Sequence, residues 1–270
     1  PNSQLARKAW KYLAEVWKNH GRDFISEWHD LKPTIRKDGW NMWAVRKFAE
    51  VHKPYFKLKP HFHSPVPPRS LKKLDLRDIL PLEVNHPSPP DEELQLPDDL
   101  LIPFCEALRK NLEHATLMEK EIGHYGWQTL APIVPDKTVD DETHQRKRGL
   151  SGSMLFFVNF FERLASRDPE AAKREFSKWD TTDQIVFERL RIWAAGLDSL
   201  FSDQAAGEII LELNDAVFWQ YQHQRDLLLT LAKRWNTLPL EIRKSIELRL
   251  LEGRKKWHDN EENFEESNAW

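Results

Sequence analysis

Apolar side chains in this chain recur at intervals of three and four, the spacing that lines up one face of an α-helix. Leu5, Ala9, Leu13, Val16 and Trp17 make the first such face. A second helix is predicted from Phe24 to Leu31, ending before Pro33, and a third through Trp40, Trp43, Ala44, Phe48 and Val51, ending before Pro54. The pattern then breaks: ten prolines fall within residues 54–97, a density that excludes long helices and regular central strands. An extended connector is expected there, with one short helix at Ser70–Ile79 and with Leu80, Leu82 and Val84 as its anchors. Helical spacing resumes after Asp98 and Asp99, which are placed to cap the segment 100–123. Residues 129–148 are polar and read as a surface loop. Met154, Phe157, Val158, Phe161 and Leu164 then mark a helix from Ser153 to Arg167, and Asp168-Pro169 opens the next one. From Phe187 to Trp257 every break falls at a helix boundary, and no part alternates like a strand.

These elements predict an all-α fold, in which helical hairpins stack as a HEAT-like or irregular solenoid crossed by the proline-rich connector. The expected divisions are N-terminal helices at 1–56, the connector at 57–98, a main helical domain at 99–257 and an acidic tail at 258–270. Trp179-Asp180-Thr181 and Trp235-Asn236-Thr237 echo one another at a distance of 56 residues and suggest an internal repeat. The chain begins at Pro1 and ends at Trp270, and both ends are expected to lie inside a longer protein.

Composition sharpens this picture. Twelve Trp and fourteen Phe give the helices large surfaces to bury against each other. The net charge of −3 points to no polyanionic partner, but the charge is segregated. Residues 1–80 carry 17 Lys/Arg against 8 Asp/Glu, and residues 81–145 carry 4 against 14. Either the two segments pack on each other, or the basic one faces nucleic acid. The single cysteine, Cys105, sits in an apolar pattern and fits a reducing compartment. The longest apolar run is too short to span a bilayer, so no membrane partner is expected.

Candidate chemistry is sparse. His61 and His63 lack further ligands nearby, and Glu121-x-x-His124 has no second copy. His223, Arg225 and Asp226 fall within one helical turn; a base with its orienting partner or a buried ion pair between helices would both fit. Arg191 with Trp193, Arg234 with Trp235, and Arg254 with Trp257 could stack guanidinium on indole, as packing or as platforms for single-stranded bases. No phosphate loop, metal set or dinucleotide fingerprint is recognisable, so no catalytic residue, cofactor or metal is expected. The acidic side chains Glu261, Glu262, Glu265 and Glu266 read as a solvated face.

One set of spacings carries a resemblance. It comprises Ala165-x-x-Asp168-Pro169-x-x-Ala172, Trp179, Phe187-x-x-Leu190-Arg191-Ile192-Trp193-Ala194, Phe218-Trp219, Arg225-Asp226-Leu227-Leu228, Arg234-Trp235 and Glu247-x-Arg249-Leu250-Leu251-x-Gly253, with Asn111-Leu112-Glu113-x-Ala115. Over about residues 100–257 it resembles the helical C-terminal region, of unknown function, of long bacterial phage-defence proteins that carry an N-terminal sirtuin-type domain. The resemblance implies a cytoplasmic, non-catalytic region that senses an invader or holds an assembly together while an attached domain hydrolyses NAD. Its partners would be that effector domain, further copies of itself or a phage-derived trigger. Trp193, Trp219, Arg225, Asp226, Arg234 and Trp235 are the residues expected to form its hinge or inter-helix core. The alternative is a nucleic-acid-binding scaffold that uses the basic first segment.

Overall fold

The computed structural model describes residues 3–59, 79–90, 93–123, 130–134, 148–183 and 185–253. Outside them lie residues 70–78 of the helix expected at Ser70–Ile79, most of the 129–148 loop, the acidic tail, and His61, His63, His124, Arg254 and Trp257. The described fold is all-α, built of packed helices with one open two-stranded β element. Its backbone contacts divide into two compact units, Pro1–Phe187 and Glu188–Trp270, a division that falls inside the 99–257 segment.

The N-terminal unit opens with α1 (Gln4–Lys18), capped by the Ser3 hydroxyl on the Ala6 N–H. Its inner face is Leu5, Ala9, Tyr12, Leu13 and Val16. Trp17, expected on that face, is exposed instead, since the helix turns one position short of bringing it under cover. Helix α2 (Phe24–Asp38) runs past its predicted end, with Pro33 inside it. Pro33 and His29 are both exposed, so the carbonyl that loses its N–H partner faces water, which replaces the bond. Helix α3 (Met42–Val51) buries Ala44, Val45, Phe48 and Val51.

The connector is more than an extended strap. Strand β2 (Leu82–Asn85) returns to pair antiparallel with β1 (Tyr55–Leu58), setting Phe56 opposite Val84 and Lys57 opposite Glu83. Two short strands flanked by prolines can pair at an edge where a central strand could not form. Leu80 and Leu82 are buried against Tyr12, Phe56, Met118 and Ile122, with Val84 packed alongside, so the expected anchors do anchor.

After a short 3-10 turn at Asp98–Leu100 comes α4 (Leu101–Glu121). Asp98 does not cap this helix; its carboxylate takes an ion pair from Arg163 and another from Arg167 at 3.2 Å. Helix α4 packs on α3 and on α5 (Gly149–Arg167), which buries Met154, Phe157, Val158, Phe161 and Leu164 as the spacing predicts. Phe48 lies at the centre of this layer, with the Trp28, Trp40, His52, Phe104 and Phe156 rings within 3.9–6.0 Å of its centroid. The Asp168 carboxylate caps α6 (Pro169–Phe176) through the Ala171 N–H. The Trp179 ring then closes on Phe157, Phe161 and Phe176.

The second unit takes up the rest of α7 (Val186–Ala195), then α8 (Asp203–Glu212), the single turn α9 (Asp215–Phe218), α10 (Tyr221–Arg234) and α11 (Leu240–Glu252). Its core includes Ile192, Ala206, Ile210, Val217, Phe218, Leu227, Leu231, Leu238, Ile242 and Ile246.

Candidate interaction site in the C-terminal unit

Two arginines organise the corners of this unit in the same way. Arg234 ends α10 and is 4% exposed. Its guanidinium donates to the Ala195 carbonyl at the end of α7 (3.2 Å), to the Phe201 carbonyl in the loop (3.0 Å) and to the Asp203 carboxylate at the first position of α8 (2.9 Å). Asp198 adds an ion pair at 3.1 Å. Arg249 repeats this in the last turns of α11. It reaches the Leu211 carbonyl at 3.5 Å, the Leu213 carbonyl at 2.6 Å and the Asp215 carboxylate at the first position of α9 at 2.7 Å. It also lies over the Phe218 ring, 4.0 Å from the centroid. Each planar fork thus ties a helix end, a loop carbonyl and the start of the next helix, a task suited to guanidinium's fixed donors.

The local sequence explains both corners. Ser202 caps α8 through the Ala205 N–H, and Asn214 caps α9 through the Val217 N–H. Each cap is followed at once by an aspartate, whose charge suits the positive helix start and is presented to the incoming arginine. Helices α8 and α11 approach so closely that a Cβ on Gly207 would stand 2.6 and 2.7 Å from side-chain atoms of Ile242.

A third arginine is fully inside. Arg189 on α7 faces Asp226 on α10 across 3.4 Å, with side chains 2% and 1% exposed. Burial pulls the Arg189 guanidinium below its ordinary pKa, and Asp226 opposes that pull. Nearby on α10, Thr230 donates to the Ile192 carbonyl at 3.1 Å, and Lys233 to the Gly196 carbonyl at 2.6 Å. Asp226 makes an ion pair of the kind expected at Arg225 or Asp226, and its partner is Arg189. Arg225, on the same helix, is half-buried. Trp193 is buried, while Trp219 and Trp235 pack against the core from half-buried positions. Arg234, expected to cover the Trp235 indole, spends its donors on carbonyls and carboxylates. His223 is fully buried.

Sequence reasoning missed Arg189, Arg249, Asp203 and Asp215. A signal existed: Ser202-Asp203 and Asn214-Asp215 repeat a cap followed by aspartate, and α10 and α11 each carry an arginine near their ends. The Trp179 and Trp235 turns, by contrast, are built differently. Asp180 accepts from the Thr182 N–H and hydroxyl, whereas the Thr237 hydroxyl reaches Asp203 and the Arg234 carbonyl.

The outer sides of the last two long helices are also apolar. On α10 these are Tyr221, Leu228 (60% exposed) and Leu229; on α11 they are Leu240 (55%), Leu248 (58%) and Leu251 (85%). Ile242 and Ile246 point the opposite way into the core. A helix apolar on both sides has one side more than its own fold uses.

The N-terminal unit carries polar clusters of its own. Arg109 is buried between Glu113 and Glu175, the latter at 2.5 Å. His86 meets Glu119 at 2.8 Å with both side chains buried, and Tyr12 donates to Glu121 at 2.8 Å. A cleft of about 580 Å³ opens between α3 and α4 beside Arg46, Lys53, Lys110 and His114. A second, of about 430 Å³, lies beside Trp28, Arg36, Trp40 and Leu94. Cys105 is buried, and burial pushes its thiol well above the ordinary range. Among the described residues no group of three His, Cys, Asp or Glu is arranged to hold a metal, and no helix is long and apolar enough to cross a membrane.

Comparison with protein-family models, with curated proteins and with solved structures finds no match.

Proposed function

We propose that this chain is a non-catalytic, partner-binding region of a larger cytoplasmic antiviral-defence protein of bacteria, one that regulates an attached effector domain. The observation that carries the reading is the double-sided character of α10 and α11. Their inner sides are locked into the C-terminal core by Arg234, Arg249 and Ile242, while their outer sides present Tyr221, Leu228, Leu240, Leu248 and Leu251. Exposed apolar stripes of this kind are what a protein partner covers, and a rigid inner side transmits the effect of covering them. Regulation would proceed by a shift between two packings pivoting on the clamped corners. The resemblance of the helix-packing spacings to those of sirtuin-associated defence proteins agrees with this reading and would make the effector an NAD hydrolase.

The test uses the longer protein in infected cells. Leu228→Glu with Leu251→Glu should abolish infection-triggered NAD loss while leaving the melting temperature of the chain within about 2 °C, as for surface changes. An unchanged response would overturn the proposal.

A further inference from the structure

The outer stripe of α11 is self-complementary under a two-fold axis. Positions 240, 244, 247, 248 and 251 recur on one side of the helix and read Leu, Lys, Glu, Leu, Leu. All five are exposed. Lay a second copy of α11 antiparallel, with the axis midway between Ser245 and Ile246. Leu240 then faces Leu251 of the second copy, and Lys244 faces its Glu247. By symmetry each contact occurs twice, so two charge pairs lie near the centre with a leucine pair beyond each. The two helix dipoles oppose one another, which is the favourable arrangement for neighbouring helices. Within one chain the Lys244 ammonium stands 3.6 Å from Glu241. Glu241 is itself strongly exposed, so this contact leaves Lys244 at the surface and able to meet a second carboxylate.

We infer that the partner seated on α11 is a second copy of this chain, docked antiparallel α11 to α11 in an isologous dimer. The inference rests on the reading of that outer side as a docking surface and supplies its occupant. Charge complementarity points to the occupant: the Lys244/Glu247 pair and the Leu240/Leu251 pair share one midpoint, so a single two-fold axis satisfies both, with Leu248 falling opposite Arg243. Leucines at both ends supply the apolar contact, and the lysine–glutamate pairs fix direction and register, as charged flanks do in helical zippers.

Sedimentation of the full chain over a concentration series tests this, with helicity and melting followed in parallel. The wild-type chain is expected to dimerise. Lys244→Glu and Glu247→Lys should each weaken dimerisation by about tenfold or more, because each change turns two attractive contacts into two repulsive ones. The double exchange Lys244→Glu/Glu247→Lys should restore it to within about threefold of wild type. A chain carrying Leu240→Cys and Leu251→Cys should form a disulfide-linked dimer on mild oxidation. The two positions are about 16 Å apart along one helix, too far to close within a chain. The single Leu240→Cys variant should not cross-link, since its two copies lie at opposite ends of the interface. A monomer at all concentrations, or a double exchange no better than either single one, overturns the inference. If the chain is monomeric and Leu251→Glu still abolishes the response in cells, only the identity of the occupant falls. If the chain is monomeric and Leu251→Glu is silent, the docking surface falls with it.

Discussion

Replacing Arg234 by methionine should destabilise the C-terminal unit by about 3–5 kcal/mol. The magnitude follows from how exposed each partner is. Asp198 is 64% exposed and Asp203 is 37% exposed, so water screens both ion pairs and each contributes about 1 kcal/mol or less. The carbonyls accept from a charged donor at 3.2 and 3.0 Å, the Ala195 bond buried and the Phe201 bond part-buried. Such bonds contribute about 1.5–3 kcal/mol each. The carbonyl bonds therefore dominate, and methionine fills much of the same volume without stranding a buried charge. Urea titration, followed by amide exchange of residues 196–203, measures the loss directly. Arg234→Lys keeps the charge but not the fork and should recover no more than about half of it. Asp203→Asn should cost only about 1 kcal/mol. If Asp203→Asn costs as much as Arg234→Met, or if Arg234→Met costs under about 1 kcal/mol, the reasoning from burial fails.

Gly207 gives a prediction whose sign depends on a neighbour. In the native chain Gly207→Ala should cost about 1–2 kcal/mol, because crowding against Ile242 outweighs the gain in helix propensity. In an Ile242→Ala background the same change should stabilise by up to about 1 kcal/mol, and equal losses in both backgrounds would refute the packing account. His52 sets a pH dependence: burial holds its pKa at about 4 in the folded chain, with the Phe48 carbonyl pulling the other way, against an ordinary 6.5. The unfolded chain takes up the proton first, so stability present above pH 6.5 is lost as pH falls towards 4, by about 3 kcal/mol in all. Urea midpoints of wild type and His52→Gln between pH 7.5 and 4 check this; parallel curves would show that another group is responsible.

Helix faces were legible in the sequence where large apolar side chains repeat at helical spacing. Met154, Phe157, Val158, Phe161 and Leu164 read correctly because five large side chains share one face, although the helix also buries Leu155 and Phe160 beyond it. Trp17 did not, because an indole at the edge of a face looks the same in sequence as one at its centre. Pro33 misled for a related reason: its cost depends on whether the orphaned carbonyl faces water, a tertiary fact. Strand β2 was hidden because four residues give too short a stretch for alternation, and its partner lies across the connector. Among the expected interaction residues, Asp226 meets Arg189, and Arg234 meets Ala195, Phe201 and Asp203, while Arg225 is half-buried. What the sequence concealed was the identity of each partner, since every one of these contacts joins residues more than thirty positions apart.

That separation has a consequence for how the unit is made. The turn between α7 and α8 and the turn between α8 and α9 leave the ribosome early, yet the groups that complete them arrive only with Arg234 and Arg249. The first turn waits for α10 and the second for α11, so the unit gains order through late, long-range contacts rather than helix by helix. The same dependence holds after folding. Whatever grips the last two helices holds shut two corners laid down thirty to forty residues before them, and whatever pries them loose releases both.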